Sequence, residues 1–154
     1  MVSVAIFLFI VVASLSMWNL YMEKGKLIDQ RADMEFAARN AMSGLMTTGG
    51  DPSSWYLLET FEVDSFGLAV SDYELSEAKI SKLQDLNNTN YEDIKNSLGV
   101  SLYNLHLSFL NSSGSEVYFF GDNSSSQANQ IVRIERLVLV SDEVYTVVMG
   151  VWDE

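Results

Sequence analysis

With 154 residues, the chain is long enough for one ordinary domain and a small additional segment, but too short for two full domains with separate cores. It has no cysteine, which excludes disulfides, thiolate metal sites and a cysteine nucleophile. The first 46 residues contain four acidic and four basic residues, so the whole net charge of −12 lies after them, and so acidic a domain repels the phosphates of nucleic acids.

Residues 1–22 contain no charged residue and are rich in Ile, Val, Leu and Phe. At a rise of about 1.5 Å per residue, a helix of this length crosses the roughly 30 Å hydrocarbon layer of a bilayer. Trp18 and Tyr21 lie at its C-terminal end, where aromatic rings favour the headgroup region. The segment has neither the basic start nor the small-residue cleavage point of a secretory signal. We therefore predict a hydrophobic membrane or filament-core helix over residues 1–22.

Two lysines, Lys24 and Lys26, directly follow this segment. By the positive-inside rule they would hold the rest of the chain in the cytoplasm. The conflict with a surface location disappears if a short basic leader originally preceded Met1 and has been removed, and the sequence leaves open whether Met1 is the encoded or the processed N-terminus.

Helical signals continue beyond the predicted span. Between residues 23 and 46 there is no proline, and apolar residues recur at spacings near 3.6: Leu27, Ile28, Met34, Ala38, Met42 and Leu45. Gly49, Gly50 and Pro52 then end the pattern. The sequence predicts one helix from about Val2 to Met46. Residues 23–48 are the predicted amphipathic continuation of the stem, which lies against a folded head.

Residues 49–154 form the predicted acidic head. Its first part contains a short helical turn near Pro52 with Trp55 packed inward, followed by an irregular stretch with a turn at Gly67 and the candidate core residues Phe61, Val63, Phe66 and Leu68. Two short helices are predicted over 76–86 and 91–98. Asn90 would cap the second helix, and Gly99 would end it.

After Gly99 the apolar pattern alternates with a period of two, which is typical of strands. Strands are predicted over 103–109, 116–120, 131–140 and 144–152, arranged as a four-stranded antiparallel meander. The predicted fold class is α+β, with a long N-terminal α-helical stem packed on a C-terminal antiparallel β-sheet head.

This order of segments resembles the type IV pilin superfamily in its archaeal branch. A longer series of residues over 1–110 is similar to euryarchaeal pilin-like proteins with class III signal peptides: Trp18, Met34-Glu35, Ala38, Ala41, Asp51-Pro52-Ser53-Ser54-Trp55, Phe66-Gly67-Leu68-Ala69, Lys82-Leu83, and 91–99 (YEDIKNSLG). Bacterial pilins typically carry a glutamate at mature position five and a C-terminal disulfide. Here that position is Ala5 if Met1 is the mature start, and there is no cysteine.

The resemblance implies a structural subunit of an archaeal type IV pilus-like filament that serves adhesion. Its expected partners are other copies of itself in a helical filament, the plasma membrane before assembly, the archaeal pilus assembly machinery, and a surface or another cell. Its expected location is an extracellular cell-surface filament. The side chains expected to pack in the filament core are Val4, Ile6, Phe7, Leu8, Phe9, Ile10, Val11, Val12, Leu15, Met17, Trp18 and Leu20.

Two alternatives remain open: a single-span cell-surface binding protein that never polymerises, and a minor pilin. We expect no enzyme, cofactor or metal site, because the sequence has no glycine-rich phosphate loop, no nucleophile elbow and a single histidine, His106. His106 is expected on the polar face of a strand, as a surface histidine or a contact to a partner.

Three asparagines, Asn87, Asn111 and Asn123, match the N-glycosylation acceptor pattern in predicted loops of the head. The alternative is that they are ordinary turn residues.

Overall fold

The computed structural model describes residues 2–59, 62–122 and 128–153, with side chains from Ile6 onward. Contacts divide the chain into two compact units, Met1–Asp33 and Met34–Glu154, which we call the stem unit and the head unit. The predicted division at residues 22 and 48 rests on hydrophobicity rather than on contacts, and it stays a prediction.

The first element is the helix α1, Val2–Thr47, which confirms the predicted long helix. The hydroxyl groups of Thr47 and Thr48 donate to the carbonyls of Ser43 and Gly44, each at 2.8 Å, near the end of the helix. Gly50 follows with a φ of +79°, a conformation in which the helix cannot continue.

Within the head unit, one face of α1 is buried. The buried residues recur at intervals of three or four and are at most 3% exposed: Met34, Ala38, Ala41, Met42, Leu45 and Met46. They belong to the same core as Leu105, Leu107 and Phe109 of the sheet. The head unit is therefore a helix packed on a β-sheet, which confirms the α+β fold class.

The remaining elements follow α1 in chain order. They are a 3₁₀ turn at Trp55–Leu57, β1 (Ala69–Ser71), β2 (Glu74–Leu75), α2 (Glu77–Asp85), a 3₁₀ turn at Leu86–Asn88, α3 (Tyr91–Ser97), β3 (Asn104–Leu110), β4 (Glu116–Gly121), β5 (Ile131–Val140) and β6 (Glu143–Trp152). The two predicted short helices are confirmed. Asn90 occupies the N-cap position of α3 without a side-chain capping bond, and Gly99, with a φ of +74°, follows its end.

Trp55 packs inward as predicted. Its Nε1 donates to the carbonyl of Gly67 at 2.8 Å, and its ring meets the ring of Phe66 edge-on at 5.1 Å between centroids. Gly67 is needed for close approach rather than for a turn, because a Cβ there would collide with the backbone of Thr48 and Gly50.

The other predicted core residues of this stretch are placed as follows. Phe66 and Leu68 are buried, and Val63 is partly buried against the core. Phe61 lies outside the described residues.

The sheet has six strands in the order β1-β2-β5-β6-β3-β4, so the predicted four-stranded meander is wrong. All four predicted strands exist, but β6 lies between β5 and β3, and β4 pairs with β3 alone among the long strands. Two short strands precede them in the chain, and β2 pairs with β5 in parallel. The prediction placed consecutive strands side by side, whereas the chain between Gly121 and Ile131 is long enough to carry β5 away from β4.

The two faces of the sheet differ. The inner face carries the core residues Val147, Met149 and Val151 of β6 and their partners on β3 and β5. On the outer face, rows of residues run across the strands in register. Three such rows across β5, β6 and β3 are Ile131–Trp152–Asn104, Arg133–Gly150–His106 and Glu135–Val148–Ser108.

Candidate functional site

The stem unit presents a continuous apolar surface, which we call the apolar stem surface. Its large side chains are between 36% and 74% exposed: Ile6, Phe7, Leu8, Phe9, Ile10, Val11, Val12, Leu15, Met17, Trp18, Leu20, Tyr21 and Met22. None of the residues in the most apolar stretch of α1 is buried inside the protein. Within residues 2–59, 62–122 and 128–153, nothing therefore covers this surface.

The apolar stem surface extends around the whole helix. Successive helical residues are turned by about 100°, so the unbroken apolar run from Ile6 to Val12 leaves no polar side. Of the few polar residues beyond it, Ser16 donates its hydroxyl to the carbonyl of Val12 at 2.9 Å. A helix that is apolar on all sides is stable when its surroundings are apolar on all sides, as in a bilayer or a helix bundle.

Among the described residues, α1 is long and apolar enough to cross a membrane, and this stretch lies near the N-terminus. Its aromatic end lies beside the first basic residues, where Met17, Leu20, Tyr21 and Lys24 line a shallow cleft. Amphipathic rings and a lysine at this position are typical of the boundary between hydrocarbon and headgroups.

The residues predicted to pack in a filament core lie on this surface. Those from Ile6 to Leu20 are exposed on α1, whereas Val4 lies in the helix with its side chain outside the description. Their packing against other copies stays a prediction.

His106 is less exposed than expected of a surface histidine. Its side chain is 14% exposed, its Nε2 lies 3.3 Å from Oε2 of Glu116, and its ring stacks near Phe119. Within residues 2–59, 62–122 and 128–153 there is no group of three or more His, Asp or Glu side chains that could hold a metal ion.

Two of the three candidate glycosylation sites lie in the described part of the head. Asn87 is half-buried, and its Oδ1 accepts from the backbone N–H of Gly121 at 2.6 Å. Asn111 closes a turn, because its Oδ1 accepts from the N–H groups of Ser113 and Ser115 at 3.1 and 2.9 Å. A glycan would be attached at Nδ2, which these bonds do not use. Asn123 lies outside the described residues, and glycosylation at all three positions stays a prediction.

The sequence gives no indication of the structural role of Lys79. It is 5% exposed, its Nζ donates to the carbonyls of Gly49 at 2.7 Å and Ala69 at 3.3 Å, and burial lowers its pKa. It thereby fastens α2 to the segment after α1. Nothing in the sequence marks it, because lysine is usually solvated and the apolar pattern around it is that of an ordinary short helix.

No family model, curated protein or solved structure matches the chain. The structure itself has a long apolar N-terminal helix followed by a β-sheet head, a layout compatible with a pilin-like or surface protein. The apolar stem surface is its clearest candidate for function.

Proposed function

We propose that the chain is a pilin, a structural subunit of an archaeal type IV pilus-like filament, which lies in the plasma membrane before assembly and on the cell surface afterwards. The observation that carries the proposal is the apolar stem surface, which is exposed on every side of α1 and is covered by none of the residues that the structure describes. Lipid would cover it first, and the stems of other copies would cover it in the filament.

The physical basis is an exchange of apolar neighbours. Keeping one Leu, Ile, Phe or Val side chain out of water lowers the free energy of the protein by about 1.5 to 3 kcal/mol. Exposing the whole apolar stem surface to water would therefore be strongly unfavourable. Transfer from lipid to a helix bundle avoids that exposure at each step, because both surroundings are apolar. If each copy contacts the next through different surfaces that do not close a ring, the result is a helical filament.

The acidic head suits a filament exterior. The entire net charge of −12 lies after residue 46, which keeps the heads soluble and repels nucleic acids. We propose adhesion to a surface or another cell as the role of the filament, with the archaeal pilus assembly machinery as a partner and no catalytic activity or cofactor.

Charged substitutions in the apolar stem surface test the proposal. An aspartate near the centre of a membrane-spanning helix costs about 2.5 to 3.5 kcal/mol, and Phe9→Asp or Ile6→Asp is expected to abolish filaments. The matched control is Leu57→Asp, which introduces the same charge at a head residue that is 72% exposed, and it should leave filaments intact. The measurement is electron microscopy of sheared surface material, with mass spectrometry to identify this chain and its N-terminus. Normal filaments from the Phe9→Asp and Ile6→Asp variants would refute the proposal.

A second candidate is a single-span binding protein that never polymerises, or a minor pilin. It is favoured by the aromatic and lysine boundary at Trp18, Tyr21 and Lys24, which a plain membrane anchor also needs. Phe9→Ala separates the candidates, because it leaves the span uncharged and membrane-competent but removes a side chain that packs between copies. Loss of filaments with unchanged membrane retention supports the pilin. Recovery of the wild-type chain only from detergent-extracted membranes supports the second candidate.

A further inference from the structure

The outer face of the sheet contains a groove of about 400 Å³. Its floor is the central strand β6, where Gly150 lies between Trp152 and Val148 on the same face. Since Gly150 has no side chain, the row that it shares with its neighbours has a gap. In register with Gly150 are Arg133 on β5 and His106 on β3, so these two side chains flank the gap.

The walls of the groove carry hydrogen-bonding groups of both kinds. On one wall, Nε2 of His106 lies 3.3 Å from Oε2 of Glu116. On the other, Arg133, with a side chain that is 61% exposed, donates to Glu135 at 2.9 Å and has further N–H groups in its guanidinium fork. Each charged side chain of the lining already has a partner, because Arg133 is paired with Glu135 and Glu116 lies beside His106. The groove therefore offers no unpaired charge with which to capture a simple ion.

The base of the groove is apolar. Val148 and Trp152 are buried, at 8% and 3% exposed, and Ile131 and Leu110 complete the apolar lining. Nδ1 of His106 is buried and has no hydrogen-bond partner within the part of the chain that the structure describes. Buried polar atoms are nearly always bonded, so this nitrogen is an exception.

We propose that this groove binds a neutral saccharide. A sugar ring has an apolar C–H face, which matches Val148 and Ile131, and hydroxyl groups that both donate and accept, which match Arg133, His106 and Glu116. An anion would meet the field of a head that holds the entire charge of −12, and a cation would meet Arg133. A peptide strand cannot pair with β6, since both of its edges are bonded to β5 and β3.

The proposal is independent of filament assembly, because the groove lies wholly in the head unit. A pilin and a single-span surface protein could both use it, and loss of filaments in stem variants would leave it unaffected.

The test uses the full-length chain in phosphatidylcholine nanodiscs, which contain no sugar headgroups. A panel of methyl glycosides is screened at about 10 mM by saturation-transfer NMR on the sugar protons, with tryptophan fluorescence as a second readout. For a monosaccharide of about a dozen heavy atoms we expect a Kd on the order of 1 mM. Absence of binding by every glycoside, or binding of a charged peptide probe in place of all of them, would overturn the proposal.

Gly150→Val is the diagnostic variant. Beyond the chain neighbours of Gly150, a Cβ at this position would lie 3.9 Å from its nearest atoms, the carbonyl oxygen of His106 and Cζ3 of Trp152, so the backbone accommodates a Cβ and the valine side chain fills the gap. We expect at least a tenfold loss of affinity. Thr146→Val, on the same strand and face but outside the groove, should bind as the wild type does.

Arg133→Ala keeps the test decisive if Gly150→Val fails to fold, as judged by circular dichroism. Arg133 is exposed and contributes no core contact, so its removal should weaken binding several-fold without affecting the fold. Unchanged affinity in either folded variant would show that the sugar binds elsewhere.

Discussion

Glu77 connects three parts of the head through a single carboxylate. Its Oε1 accepts from the hydroxyl of Tyr118 on β4 at 2.8 Å, and its Oε2 accepts from the hydroxyl of Ser141, in the turn between β5 and β6, at 3.0 Å. These bonds favour the ionised form, so they lower the pKa of Glu77, and the same contact raises the pKa of Tyr118 to about 12. The head is thus most stable with Glu77 charged and Tyr118 neutral.

Acid should remove the stabilisation that the hydrogen bonds of Glu77 give to the folded head. The pKa of Glu77 in the folded protein is below its ordinary value of 4.5, so the folded state gains stability above that value and loses it as the pH falls through the folded pKa. Near neutral pH we expect Glu77→Gln to lower the melting temperature by a few degrees, and the difference from the wild type should shrink below about pH 4.5. Thermal unfolding followed by circular dichroism between pH 3 and 7, at about one-unit steps, measures this.

Glu62→Gln is the matched control, because Glu62 is an exposed carboxylate of the same unit. A difference between Glu77→Gln and the wild type that stays constant with pH would contradict the assignment.

What the sequence predicts at the scale of single residues depends on how strongly a residue type prefers one environment. Trp55 and Phe66 were expected in the core because large apolar side chains favour burial, and both are buried. Lys79 could not be found in this way, since its burial depends on two backbone carbonyls that only the fold brings close to it. The groove beside His106 depends in the same way on strand register, although a glycine within β6 is a signal of a gap or a close approach.

At the scale of elements, the sequence predicted the helices and the four long strands, but not the order of the strands. The order of the strands depends on which strand is buried on both faces, and in this sheet that strand is β6. Val147, Met149 and Val151 are buried on one face and Val148 and Trp152 on the other, which is the pattern of a central strand. The prediction instead used chain adjacency, which fails where the connection is long, as it is after β4.

Engineered cysteine pairs can verify the strand order directly, because the chain has no cysteine of its own. Leu110 of β3 and Thr146 of β6 are direct partners on the outer face, so Leu110→Cys with Thr146→Cys should form a disulfide under mild oxidation. In a meander, β4 and β5 would be neighbours. The pair Phe119→Cys with Glu135→Cys could then form a disulfide. In the observed order these two residues are separated by two strands, roughly 14 Å, and their thiols should stay free.

Thiol titration and peptide mass spectrometry of the two cysteine variants give the result. Oxidation of the pair Phe119→Cys with Glu135→Cys, and not of the other pair, would contradict the observed sheet.

At the scale of the whole molecule, the two units differ in what covers their apolar residues. In the head unit α1 contributes Met34, Ala38 and Leu45 to a shared core, and the amphipathic spacing of these residues predicted that role. In the stem unit the apolar residues are exposed, and their spacing predicts no single buried face. The sequence could not predict what covers the apolar stem surface, because a helix that is apolar on all sides suits both lipid and the stems of neighbouring copies.

The head should fold without the apolar stem surface, since its core is complete within Met34–Glu154. A fragment of residues 30–154 leaves one helical turn ahead of Met34 and keeps the net charge of −12, because the removed residues contain two acidic and two basic side chains. We expect this fragment to be monomeric in water by light scattering, and its stability should lie within about 1 kcal/mol of that of the full-length chain in detergent. The full-length chain should need detergent or lipid, since removing the 13 large exposed residues of the apolar stem surface from water is what drives its association. A molten or aggregated fragment would show that the head depends on the stem for its core. A full-length chain that is monomeric in water would show that the apolar stem surface is not exposed to solvent.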